Sequence, residues 1–185
     1  MNRVKRYFEL AELQAFLRLV DEQLSGPCRV VIVGPTALSL GYWPKERSFD
    51  IELWRNSDSA LFAAAERAGE KLLRSVRIHQ PLAGEPHHKF EDRLQAAPLE
   101  GLSRLEVLIP EVHDLALINA ARGDSLKGLA ELHASQPLSL QKLVERFHEM
   151  KREVSWPRAR FTESFVGLIA RLFGPKQAAT IEKRL

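Results

Sequence analysis

The segment Ser48-Phe49-Asp50-Ile51-Glu52-Leu53 alternates polar and apolar residues with the period of a β-strand. That period turns Asp50 and Glu52, two positions apart, to the same face. Two carboxylates side by side repel each other and are costly to desolvate among large apolar neighbours. A divalent cation resolves both problems. Hard oxygen ligands of this kind suit Mg²⁺, which would also hold substrate phosphates. In phosphoryl or nucleotidyl transfer, two such ions activate the attacking oxygen and stabilise the leaving one. Upstream, the β-branched run Arg29-Val30-Val31-Ile32-Val33 passes into Gly34-Pro35-Thr36 and then a short apolar segment. Such a turn presents backbone amides, from Gly34 onward, and the Thr36 hydroxyl to a phosphate at a helix N-terminus. Each half also has a plainer reading, as a solvent-facing acid pair and as an ordinary turn.

The elements that must position these residues are legible from periodicity. Phe8, Leu10, Leu13, Phe16, Leu17, Val20 and Leu24 recur at spacings of three and four, which predicts a helix over 8–24 ended by Ser25-Gly26-Pro27. Strands are predicted at 29–33, 48–54, 75–80 and 102–109, the last stopped by Pro110. Helices are predicted at 36–40, 59–73, 111–121, 125–134, 139–151 and 162–173. The order helix, strand, helix, strand, helix, strand, strand, then helices predicts an α/β (α+β) fold. It would have a mixed sheet with helices packed on one face and a helical C-terminal third. The expected division is a core over 1–110 and a helical region over 111–185.

Bulk properties narrow the classes. The 185 residues carry 27 basic and 24 acidic side chains, for a net charge of +3. That balance permits nucleotide or nucleic-acid binding without requiring it. Cys28 is the single cysteine, which excludes an internal disulfide and a cysteine-rich zinc site; a small buried hydrophobe is its expected role. No segment approaches the ~20 apolar residues that span a bilayer, and the N-terminus has no signal-like apolar stretch. The expectation is a cytoplasmic protein with no membrane partner. Ser-His-Asp, Cys-His, Walker and Rossmann signatures are absent from the sequence.

In this order and spacing, Val31-Ile32-Val33-Gly34-Pro35-Thr36-Ala37-Leu38-Ser39-Leu40 and Arg47-Ser48-Phe49-Asp50-Ile51-Glu52-Leu53 resemble the signature of the polymerase-β-type nucleotidyltransferase superfamily. Four later blocks look like the rest of one bacterial, nucleotidyltransferase-like family of unknown function. They are Phe90 to Leu94, Gly101 to Val107, His113 to Leu117, and Ala121-Arg122-Gly123. That family is akin to the abortive-infection and toxin–antitoxin nucleotidyltransferases, and the likeness covers roughly residues 10–150. The resemblance implies a nucleotidyltransferase-type sheet and Mg²⁺ on Asp50 and Glu52. It implies a nucleoside triphosphate bound at Gly34, Thr36, Arg47 and Ser48, with Lys45 as an alternative to Arg47. Glu106 is the candidate third carboxylate, and His79 the other residue that could take that place.

The sequence departs from the family pattern at functional positions. Pro35 stands where a second Gly or a Ser is expected, and proline has no amide hydrogen. Asn119 stands where a lysine is usual, and Asp124 to Gly128 replace the charged residues that usually follow Ala-Arg-Gly. These departures keep two readings open. One is a nucleotidyltransferase acting on a protein, tRNA or small-molecule acceptor. The other is a catalytically degenerate relative acting through a protein partner, for example in a toxin–antitoxin pair. A nucleic-acid-binding accessory protein is a third reading. It would use the basic clusters Arg3, Lys5, Arg6 and Lys151, Arg152, Arg158, Arg160 with Trp156 and Phe161. His87 and His88, between Glu85 and Glu91, read as a surface loop. His113, His133 and His148 read as core or surface histidines, since none has a histidine four residues on.

Overall fold

A computed structural model describes residues 7–55, 58–72, 76–80, 87–153 and 157–185. It is an α+β structure, and the chain divides into two units. One comprises Met1–Pro81 and Gln95–Ile109, the other Leu82–Leu94 and Pro110–Leu185. Among the described residues no helix is long and apolar enough to cross a membrane.

The first unit is built on a five-stranded mixed sheet. Its strands are β1 (Cys28–Val33), β2 (Asp50–Leu53), β3 (Arg77–His79), β4 (Gln95–Ala96) and β5 (Leu105–Ile109). Their spatial order is β3-β2-β1-β5-β4. The β-branched run of β1 takes the centre, parallel to β5 and antiparallel to β2, while β3 runs parallel to β2. One face is apolar throughout its core: Val30, Ile32, Ile51, Leu53, Leu105, Val107 and Ile109 are all buried. Burying such side chains contributes about 1.5–3 kcal/mol each. The opposite face carries the polar residues of β2, as the alternation of Asp50, Ile51, Glu52 and Leu53 requires.

Among the described residues of this unit, three helices accompany the sheet: α1 (Leu10–Gln23), α2 (Gly34–Gly41) and α3 (Ser59–Lys71). Helices α1 and α3 pack on each other. The buried stripe of α1 is Leu13, Phe16, Leu17 and Val20, on the predicted periodicity. Asp58 caps α3 by accepting from the Ala60 amide at 2.8 Å. The buried Cys28 thiol lies 3.7 Å from Asp58 and is pushed up to about 11 by burial and by that carboxylate. Both effects disfavour the thiolate, the reactive form. Asp21 turns inward from the end of α1 to meet the amides of Ser103, Arg104 and Leu105 at 3.0, 2.6 and 2.6 Å. One carboxylate thus fixes the entry of β5. Gly41 ends α2 against the Ile109 side chain, whose terminal methyl a Cβ there would displace.

The second unit is helical: α4 (Val112–Arg122), α5 (Lys127–Ser135), α6 (Leu140–Glu153), α7 (Arg158–Phe173) and α8 (Pro175–Glu182), with a 3-10 helix at His88–Arg93. Helix α4 is buried on every side from His113 to Ala121. Phe147 of α6 stacks on Phe165 and Phe161 of α7, with centroids 4.1 and 5.0 Å apart. His113 links two helices. Its Nδ1 lies 2.6 Å from Glu111, and its Nε2 accepts from the Ser139 amide at 2.9 Å.

Several boundaries differ from the sequence reading for identifiable reasons. The strand predicted from Ser48 starts at Asp50, because Phe49 is exposed and stacks on Tyr7 at 3.8 Å. Ser48 is left in an isolated bridge with Phe8. Helix α7 begins at Arg158, directly after Pro157, instead of at 162. Helix α8 was not predicted. Its signal was Gly174-Pro175, a break followed by proline at the first helical position. His87 is not in a surface loop; its side chain is 1% exposed and faces Asp114. Arg3, Lys5, Arg6, Glu85 and Trp156 lie outside the described residues.

Candidate functional site

Asp50 and Glu52 do share a face, and β3 supplies their neighbour. In the parallel register of β2 and β3, Asp50 pairs with Arg77 and Glu52 with His79. Residues paired across neighbouring strands lie on the same face, so the His79 imidazole stands beside both acids. Its Nδ1 is 3.8 Å from Asp50 Oδ2, and its Nε2 is 3.9 Å from Glu52 Oε1. One ligand atom from each of the three residues lies within 4.8 Å of the others. The Glu52 side chain is 10% exposed, and Asp50 and His79 are each about a quarter exposed, at 27% and 26%. The triad is partly open to solvent, with Glu52 its most buried member.

Strand order leaves Glu106 out of this group. It lies on β5, with β1 between it and β2, and pairs with Arg29 across the strands. The Arg29–Glu106 ion pair is 3.4 Å long, and both side chains are more than half exposed. Of the two residues proposed to complete the acid pair, the fold therefore brings in His79 and not Glu106.

The turn after β1 abuts the start of β2. Gly34 has φ +72°, a conformation that residues with a Cβ rarely adopt. It opens α2, with Pro35 in the first turn and no side chain capping that end. The Thr36 hydroxyl is buried and donates to the Asp50 carbonyl at 2.6 Å. The Ser48 hydroxyl donates to the same carbonyl at 2.7 Å. Both residues expected at a nucleotide thus act first on the backbone of Asp50, holding the acid in place from two sides. Their part is positional, a role that residue type and spacing did not reveal. Arg47 is exposed and 3.7 Å from Glu9, ahead of α1. Lys45 sits over the Trp43 ring at 5.4 Å. Asn119 belongs to the helical unit, where it is buried and its Oδ1 has no hydrogen-bond partner.

The donor set is suited to a divalent ion. Two carboxylates and an imidazole on rigid strands offer oxygen and nitrogen ligands from one face. His79 Nδ1 is buried and has no hydrogen-bond partner, so a lone pair or a proton there is unsatisfied by the protein. Comparison with family models, curated proteins and solved structures finds no match to the chain.

Proposed function

We propose that this chain binds a nucleoside triphosphate together with a divalent ion and transfers its nucleotidyl group to an acceptor. The observation that carries the reading is the acid pair Asp50 and Glu52 beside the uncapped first turn of α2. Asp50 and Glu52 would hold the ion, which supplies charge neutralisation to the phosphates when bound. The first-turn amides of Gly34 and Thr36, on either side of Pro35, would put the positive end of the helix at an anion. Thr36 and Ser48 keep the Asp50 backbone fixed, so the carboxylate does not reorganise as charge moves. Arg47 and Lys45, both exposed, would supply cations to a triphosphate tail. The class of acceptor, whether protein, tRNA or small molecule, follows from labelling experiments rather than from the site. The test is a thermal-shift titration with ATP, GTP, CTP and UTP at millimolar concentration with a divalent ion. The expected result is stabilisation by at least one nucleotide, lost in Asp50→Asn. Absence of any shift with all four rejects the reading.

A second reading has its own support. Pro35 removes one first-turn donor, and the Thr36 hydroxyl is already engaged. A chain with these features would keep the fold and act as a binding component, for example of a toxin–antitoxin pair in the cytoplasm. It predicts a stoichiometric protein partner whose binding survives Asp50→Asn.

A further inference from the structure

We infer that the ion held by Asp50, Glu52 and His79 is a borderline first-row ion such as Zn²⁺, and not Mg²⁺. This rests on the reading of Asp50 and Glu52 as an ion site, and it concerns which ion these residues select. Mg²⁺ demands near-octahedral oxygen ligation and takes carboxylates, phosphates and water. Imidazole suits the later first-row ions. A third oxygen ligand would have come from Glu106, but β1 separates it from the pair. The residue that the β2–β3 register delivers is a histidine.

The imidazole has a simpler alternative role, as a cation neutralising the two acids. Its geometry argues against that. A charged hydrogen bond closes to about 2.7–2.9 Å. The two ring nitrogens stand 3.8 and 3.9 Å from their facing carboxylate oxygens, outside hydrogen-bond reach on both sides. One ion takes one ring nitrogen, and one ligand atom from each of the three residues lies within 4.8 Å of the others, a spacing that an ion bonded at about 2.0–2.2 Å closes with small side-chain shifts. The buried, unpartnered Nδ1 supplies the lone pair. Two carboxylates and one imidazole also make three protein ligands, the number that leaves a coordination position open for a reacting group.

The experiment uses the full chain and the metals alone, without nucleotide. Zn²⁺, Mn²⁺ and Mg²⁺ are titrated separately by calorimetry, and the histidine ring ¹⁵N signals are followed by NMR. The expected result is one Zn²⁺ per chain, with the His79 ring signals shifting on addition. His79→Gln should weaken Zn²⁺ about tenfold or more while changing Mg²⁺ less than about twofold. His79→Asp should reverse the preference by tightening Mg²⁺. The inference is overturned if Mg²⁺ binds the native chain as tightly as Zn²⁺. It is equally overturned if Zn²⁺ leaves the His79 ring signals unmoved, a measurement that needs no variant to fold. Because nucleotide is absent, the outcome is separate from that of the nucleotide titration. Nucleotides that bind only with Mg²⁺ would sink this inference and leave the transferase reading standing. Selective Zn²⁺ binding with no nucleotide response would do the opposite.

Discussion

Asp21 is a structural carboxylate with a clear electrostatic signature. Burial alone would raise its pKa, but hydrogen bonds from the amides of Arg104, Leu105 and Ser103 and from the Ser103 hydroxyl outweigh it. The net shift is below the ordinary value of 3.8. The folded state therefore binds the proton more weakly than the unfolded chain. The resulting stability is fully present above the ordinary value and is lost as pH falls through the lowered one. Asp21→Asn should cost about 2 kcal/mol at pH 7, read by urea denaturation. The difference from the native protein should shrink below about pH 4. A difference that does not change with pH would mean that packing, not charge, holds the β5 entry. Gly34 makes a second prediction at this scale. Its φ of +72° should make Gly34→Ala cost about 1–2 kcal/mol. An alanine variant of native stability would refute the backbone argument.

At the scale of elements, the helical unit is joined by a buried polar network. Arg93, from the 3-10 helix, makes a two-pronged contact with Asp114 of α4 at 2.8 and 2.9 Å, and reaches Glu149 of α6 at 3.1 Å. His87 and Arg146 approach the same Asp114 carboxylate at 3.4 and 3.9 Å. Burial would raise the Asp114 pKa, yet Arg93 and His87 hold it below the usual range. Removing one partner leaves a charge stranded in low dielectric. Arg93→Met should therefore destabilise by about 3–5 kcal/mol, far more than loss of the exposed Arg29–Glu106 pair, worth about 0–1 kcal/mol. Thermal or chemical denaturation of Arg93→Met and Arg29→Met side by side checks this. Equal losses would show that the network is not the joint.

For the molecule as a whole, ligand binding is the decisive observable. An ion at about 100 times its dissociation constant stabilises the native state by about 2.7 kcal/mol. Chelation with EDTA followed by Zn²⁺ should raise the melting temperature by several degrees, on the order of 2–4 °C per kcal/mol at this size. Asp50→Asn and Glu52→Gln should abolish that rise. Hydrogen exchange should locate the added protection in β2, β3 and the first turn of α2. Protection appearing only in α4 to α8 would place the ion elsewhere.

Local pattern carried much of this protein. The alternation from Ser48 to Leu53 determined that Asp50 and Glu52 share a face, because side-chain direction in a strand depends only on parity. The spacing of Leu13, Phe16, Leu17 and Val20 determined the buried stripe of α1, because helix periodicity is equally local. Glycine and proline marked most ends, and could have marked α8 as well. Strand order was decided only by the tertiary structure. Nothing near Asp50 in the chain states that β3 lies beside β2 or that β1 stands between β2 and β5. That choice joins His79 to the acids and removes Glu106 from them. Tertiary structure also turned Thr36 onto the Asp50 carbonyl and buried His87 against Asp114. Those contacts join residues 14 and 27 positions apart. Such pairings satisfy buried polar groups that become buried only once the elements have packed, so no local pattern encodes them.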